Sequence, residues 1–107
     1  MISTHILDTT KGMPASDVAI ILEKKENDKW INLGTGNTNA DGRLVFDCPK
    51  AEGVYRLNFK IEDYFKRIGT ESFFMDTPVI FKITNLDRKY HVPLLLNPYG
   101  YSTYRGS

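Results

Sequence analysis

Tyr55, Leu57, Phe59 and Ile61 alternate without a break with Arg56, Asn58 and Lys60. Successive side chains of a strand point to opposite faces, so this stretch separates an apolar face from a wet one only as a β-strand. A strand with one apolar face needs a second layer to cover it, and the remaining sequence supplies strands for that layer. Ser3 to Asp8 sets Ser3, His5 and Leu7 against Thr4, Ile6 and Asp8. Val18 to Lys24, Trp30 to Gly34, Arg43 to Phe46, Pro78 to Thr84, Lys89 to Leu96 and Tyr101 to Arg105 read as further short strands. Turn residues separate them: Gly12 and Pro14, the run from Asn37 to Gly42, Pro49 to Gly53, and Asn97 to Gly100. Glu62 to Ile68 is the one plausible helix, with acids at its start, bases at its end and Gly69 behind it. Seven or eight short strands with one small helix indicate an all-β fold, an antiparallel β-sandwich.

At 107 residues the chain is long enough for one modest core, so residues 1–107 are read as a single domain. A net charge of +1, with bases and acids interleaved, gives no electrostatic reason to expect nucleic acid or an anionic membrane as partner. No stretch approaches the length of a membrane-spanning helix, and no basic start followed by an apolar run marks a signal peptide. A cytoplasmic location is therefore expected, with periplasm or peroxisome as the alternatives if a presequence has been removed. The single cysteine, Cys48, cannot form an intrachain disulfide and is read as a small half-buried residue.

The end of the chain is unusually apolar for a terminus. Tyr90, Val92, Leu94 and Leu96 fall on one strand face, and His91, Pro93 and Leu95 on the other. The closing strand lacks the lysines and prolines that protect a sheet edge, which suggests pairing with another subunit. His5 and His91 are the only histidines. Two imidazoles without a cysteine or clustered acid fall short of the usual ligand count for zinc, so no metal site is expected. Acid–base work is the better functional reading, because an imidazole titrates near neutrality. Arg43 and Arg105 could hold a carbonyl-rich or anionic planar ligand in the guanidinium fork. Ser107, with its terminal carboxylate, could bond a histidine if the end is ordered.

Taken together, several segments resemble the hydrolase branch of the transthyretin-related family. They are Ser3 to Asp8, Asp41 to Arg43, Asp63 to Phe65, Glu71 to Phe74, Tyr90 to Leu96 and the terminal Tyr104, Arg105, Gly106 and Ser107. The similarity covers essentially the whole chain, and the final tetrapeptide is its most specific part. The resemblance implies a transthyretin (prealbumin)-like sandwich of two four-stranded sheets. It also implies a homotetramer built as a dimer of dimers, with active sites between the dimers. The implied reaction belongs to urate breakdown: hydrolysis of 5-hydroxyisourate, a small cyclic amide, without metal or organic cofactor. On this resemblance His5, Arg43, His91 and Ser107 are the catalytic residues, and Arg43, Tyr104 and Arg105 bind substrate. The competing expectation is a non-catalytic carrier of small aromatic ligands in the same channel.

Overall fold

The computed structural model describes residues 1–48 and 51–107. In chain order its elements are β1 (Ile2–Asp8), β2 (Met13–Pro14), β3 (Ala19–Glu26), β4 (Lys29–Asn37), β5 (Arg43–Phe46), β6 (Gly53–Phe59), α1 (Ile61–Arg67), β7 (Thr77–Ile83), β8 (Tyr90–Asn97) and β9 (Gly100–Thr103). They form two layers. One sheet runs β4-β3-β6-β7, and the other runs β2-β1-β8-β9 with β5 also on β1. β2 pairs with Leu7 and Asp8 while β5 pairs with Ile2 to His5, so the two short strands share one place beside β1. The second sheet is therefore four strands wide. Its inner face contributes Ile2, Ile6, Leu94 and Leu96, which meet Ile20, Leu22, Leu57 and Phe59 of the facing sheet, all fully buried.

The strand pairs are antiparallel except β1 with β8, which run parallel from Ile2 opposite Tyr90 to Asp8 opposite Leu96. A parallel pair needs a long crossover, and here the chain builds the whole facing sheet between the two strands. Alternation assigns faces but not partners, so this pairing is new information from the structure.

Several boundaries differ from the sequence expectation, including β2 at Met13–Pro14 where a loop was expected, and three of the differences have clear physical reasons. β4 continues past Gly34 to Asn37. Its two glycines are not breakers: a Cβ on Gly34 would lie 3.5 Å from the Phe46 ring, and one on Gly36 would lie 2.9 Å from Leu44. Their small size lets Leu44 and Phe46 pack across the strand. Ile61 opens α1 rather than closing β6, and it stays buried because the first turn of the helix faces the core. β9 stops at Thr103 instead of Arg105. The register of Leu94 with Thr103 would set Tyr104 opposite Pro93, which has no N–H to offer the ladder. The turn expected from Pro49 to Gly53 falls partly on residues 49 and 50, outside the described residues. Cys48 is half-buried against the core.

α1 buries Ile61, Tyr64 and Phe65. The Tyr64 hydroxyl donates to Asp8 Oδ2 at 2.8 Å, and the amides of Thr10 and Lys11 donate to Oδ1 at 3.1 and 3.2 Å. A carboxylate only 1% exposed must have such donors, because burying an unpaired charge is expensive. Tyr64→Phe is therefore expected to destabilise the fold by about 1–3 kcal/mol, read from the denaturation midpoint. Asp8 faces the core, away from His5, so the variant should leave the chemistry of the opposite face unchanged.

Candidate active site

The outer face of the β1–β8 sheet carries the polar chemistry. Alternation along β1 turns Ser3, His5 and Leu7 outward, all half-buried, while Ile2, Thr4, Ile6 and Asp8 are buried. Pairing then builds two rows across the sheet. In one, Arg43 of β5 lies opposite His5, which lies opposite Pro93 of β8. In the next, Val45 lies opposite Ser3, Ser3 opposite His91, and His91 opposite Gly106. Neighbouring strands stand about 4.8 Å apart, so His5, Arg43 and His91 occupy adjacent positions on one surface.

Each of these side chains has a local reason for its place. Arg43 follows a turn in which Asn39 Oδ1 accepts from the amides of Asp41 and Arg43 at 2.9 and 3.0 Å. Gly42 in that turn has φ +73°, and a Cβ there would sit 2.6 Å from the Ile6 carbonyl oxygen. Only glycine fits both constraints, which fixes where β5 begins beside His5. Arg43 itself is exposed.

His91 is held on two edges of its ring. Nδ1 lies 2.8 Å from the Ser3 hydroxyl. On the other edge the tail returns over β8, where the Gly106 amide donates to the His91 carbonyl at 2.8 Å. A Cβ on Gly106 would come within 2.4 Å of His91 Cδ2, so this position has room only for glycine. Burial lowers the His91 pKa from its ordinary 6.5, and the nearby Arg43 and His5 lower it further. His91 is therefore a neutral imidazole near pH 7.

The structure brings together His5, Arg43 and His91, and it seats the tail beside them through Gly106. Ser107 follows that bridge by one residue and is exposed. Tyr104 is exposed as well, at 57%. The Arg105 guanidinium lies over the Tyr90 ring, 5.1 Å from its centroid. There it borders a cleft of about 250 Å³ whose lining includes Lys82 and Tyr90 together with His91 and Tyr104, but neither His5 nor Arg43. Among the described residues, no three His, Cys, Asp or Glu side chains converge as a metal-ligand set. Sequence reasoning passed over Ser3 and Gly106. The available signals were a serine two residues from a histidine on one strand face, and a glycine beside the terminal serine.

The strand order and the site together define a transthyretin-type sandwich with a paired-histidine face. Residues 2–106 match the model of the HIUase/Transthyretin family, and the chain belongs to that family. It is 46% identical over 110 residues to the 5-hydroxyisourate hydrolase of Salmonella dublin, an alignment spanning 100% of this chain and 81% of that protein. The solved structure of Klebsiella pneumoniae 5-hydroxyisourate hydrolase superposes with a TM-score of 0.87 at 37% identity, covering 99% of this chain and 98% of that one. Sea bream transthyretin, solved in complex with thyroxine, superposes with a TM-score of 0.91 at 32% identity, covering 98% and 93%.

Proposed function

We propose that the chain hydrolyses 5-hydroxyisourate to 2-oxo-4-hydroxy-4-carboxy-5-ureidoimidazoline. The observation that carries this reading is the placement of His5, Arg43 and His91 on adjacent positions of one sheet face. The names of the hydrolase relatives supply the substrate class. The reaction is the opening of a cyclic amide: the water oxygen bonds to the ring carbonyl carbon, the carbon–nitrogen bond breaks, and the ring nitrogen takes a proton. His5 and His91 share the orientation and activation of water and the transfer of its proton. Arg43 holds the substrate oxygens and stabilises negative charge developing at the carbonyl. Ser107 positions water or a histidine. Tyr104 lines the site, and Arg105 secures the tail by stacking on Tyr90.

The working form in this reading is a homotetramer, a dimer of dimers with the sites between dimers. Support comes from the open edge of β9 and from Val45, which is 57% exposed on the histidine face. A cytoplasmic location completes the proposal. The test mixes urate with urate oxidase and follows the decay of 5-hydroxyisourate absorbance with and without the protein. Accelerated decay with earlier appearance of the ring-opened product is expected. No acceleration, together with tight binding of an aromatic ligand, would replace this reading with a carrier.

A further inference from the structure

The catalytic scheme leaves open where the single proton of a neutral His91 resides, and Ser3 supplies an answer. We propose that Ser3 is a positioning residue whose hydroxyl donates to His91 Nδ1, holds the ring proton on Nε2, and so makes His91 the hydrogen-bond donor of the site and His5 its base. The inference rests on the hydrolase reading for the roles of the histidines, whereas the proton assignment rests on the Ser3 contact to a neutral ring.

The contact itself is 2.8 Å, within hydrogen-bond distance for either direction of donation. The surroundings of Ser3 select the direction. Its neighbour across β5 is Val45, which offers no side-chain acceptor, and the bond to His91 is the one side-chain hydrogen bond Ser3 makes among the described residues. A serine hydroxyl carries one proton, and Nδ1 is the acceptor within its reach. If Nδ1 carried the proton instead, the serine O–H would be left on a half-buried face without a protein partner. A neutral imidazole has one N–H, so accepting at Nδ1 places the proton at Nε2. On the other edge the Gly106 backbone is close enough that a Cβ there would come 2.4 Å from Cδ2. With Nδ1 and Cδ2 both covered, Nε2 is the ring nitrogen left for substrate or water.

The consequence is a division of labour. A donor at Nε2 can stabilise the oxygen of the attacked carbonyl or deliver a proton to the leaving nitrogen, but it cannot take the proton from water. Removal of that proton falls to His5, which makes no side-chain hydrogen bond to another described residue.

The test is a two-bond proton–nitrogen NMR spectrum of the ¹⁵N-labelled full chain at neutral pH, on wild type, Ser3→Ala and Ser3→Thr. Wild type and Ser3→Thr are expected to show His91 as the Nε2–H tautomer, and Ser3→Ala a mixture of tautomers. Turnover of 5-hydroxyisourate should fall on the order of tenfold or more in Ser3→Ala, since a ring in the wrong tautomer cannot play its part, and should recover in Ser3→Thr. A wild-type spectrum showing Nδ1–H or an unbiased mixture would overturn the proposal. An unchanged tautomer in Ser3→Ala would do the same. If Ser3→Ala fails to fold, the wild-type and Ser3→Thr spectra still decide. If wild type shows the expected tautomer yet turns over no 5-hydroxyisourate, the hydrolase reading fails and the proton assignment stands.

Discussion

Replacing His91 with Asn is expected to slow hydrolysis of 5-hydroxyisourate by about 10²–10⁴-fold, the usual contribution of a positioned acid–base group. The amide oxygen of the replacement can take the place of Nδ1 and still accept from Ser3, so the strand pairing should survive. Its amide nitrogen reaches only the place of Cδ2, and nothing occupies the position of Nε2. The loss should therefore appear in turnover, with circular dichroism and oligomeric state unchanged. The same variant should alter the dependence of stability on pH. In the folded chain the His91 pKa lies below its ordinary 6.5, whereas the unfolded chain takes up this proton near that value. As pH falls through 6.5 the unfolded state binds more protons, so the stability due to this group is complete above that pH and declines below it. His91→Asn removes that decline, and urea denaturation at a series of pH values would show it.

Removing Gly106 and Ser107 is expected to cost about 10²-fold in turnover, because a catalytic group displaced by about an ångström loses that much. The tail contributes nothing to the buried core, whose members all precede Asn97 in the chain. Thermal stability should therefore change little. What disappears is the Gly106 amide on the His91 carbonyl, the backbone beside Cδ2, and Ser107. His91 then keeps its partner on one edge and loses the wall on the other. Truncation with full turnover would show that the tail serves packing alone. A truncated chain that dissociates would instead place the tail at a subunit contact.

Much of the fold was legible because several of its strands are two-faced. Ile2 to Asp8 and Gly53 to Phe59 show in the structure the burial alternation that their side chains dictate. The parallel pairing of β1 with β8 was not legible, because periodicity carries no information about which strand lies alongside. Gly34 and Gly36 misled in the other direction, since a glycine that admits Phe46 or Leu44 looks the same in sequence as one that breaks a strand. At the site, His5, Arg43 and His91 stood out by residue type, and their meeting on one face follows from register. Ser3 and Gly106 were hidden because an ordinary serine and an ordinary glycine act here only through what they touch. Arg105 shows the reverse: its chemistry suits an anion, yet its position beside Gly106 turns it toward Tyr90.

Hydrolysis is expected at His5, Arg43 and His91 on the outer face of the β1–β8 sheet, with the charge that matters supplied by Arg43 and not by Lys82 of β7. The most direct measurement is kcat/KM for 5-hydroxyisourate in Arg43→Gln and Lys82→Gln, taken side by side with wild type. Arg43 supplies charge at the developing oxyanion, so its loss should lower kcat/KM by about 10²–10³-fold. Lys82 stands on β7 of the facing sheet, outside the row of Arg43 and His5, and should stay within about twofold of wild type, as surface substitutions away from the reacting groups usually do. An Arg43→Gln chain with wild-type kcat/KM, alongside a crippled Lys82→Gln chain, would contradict the account.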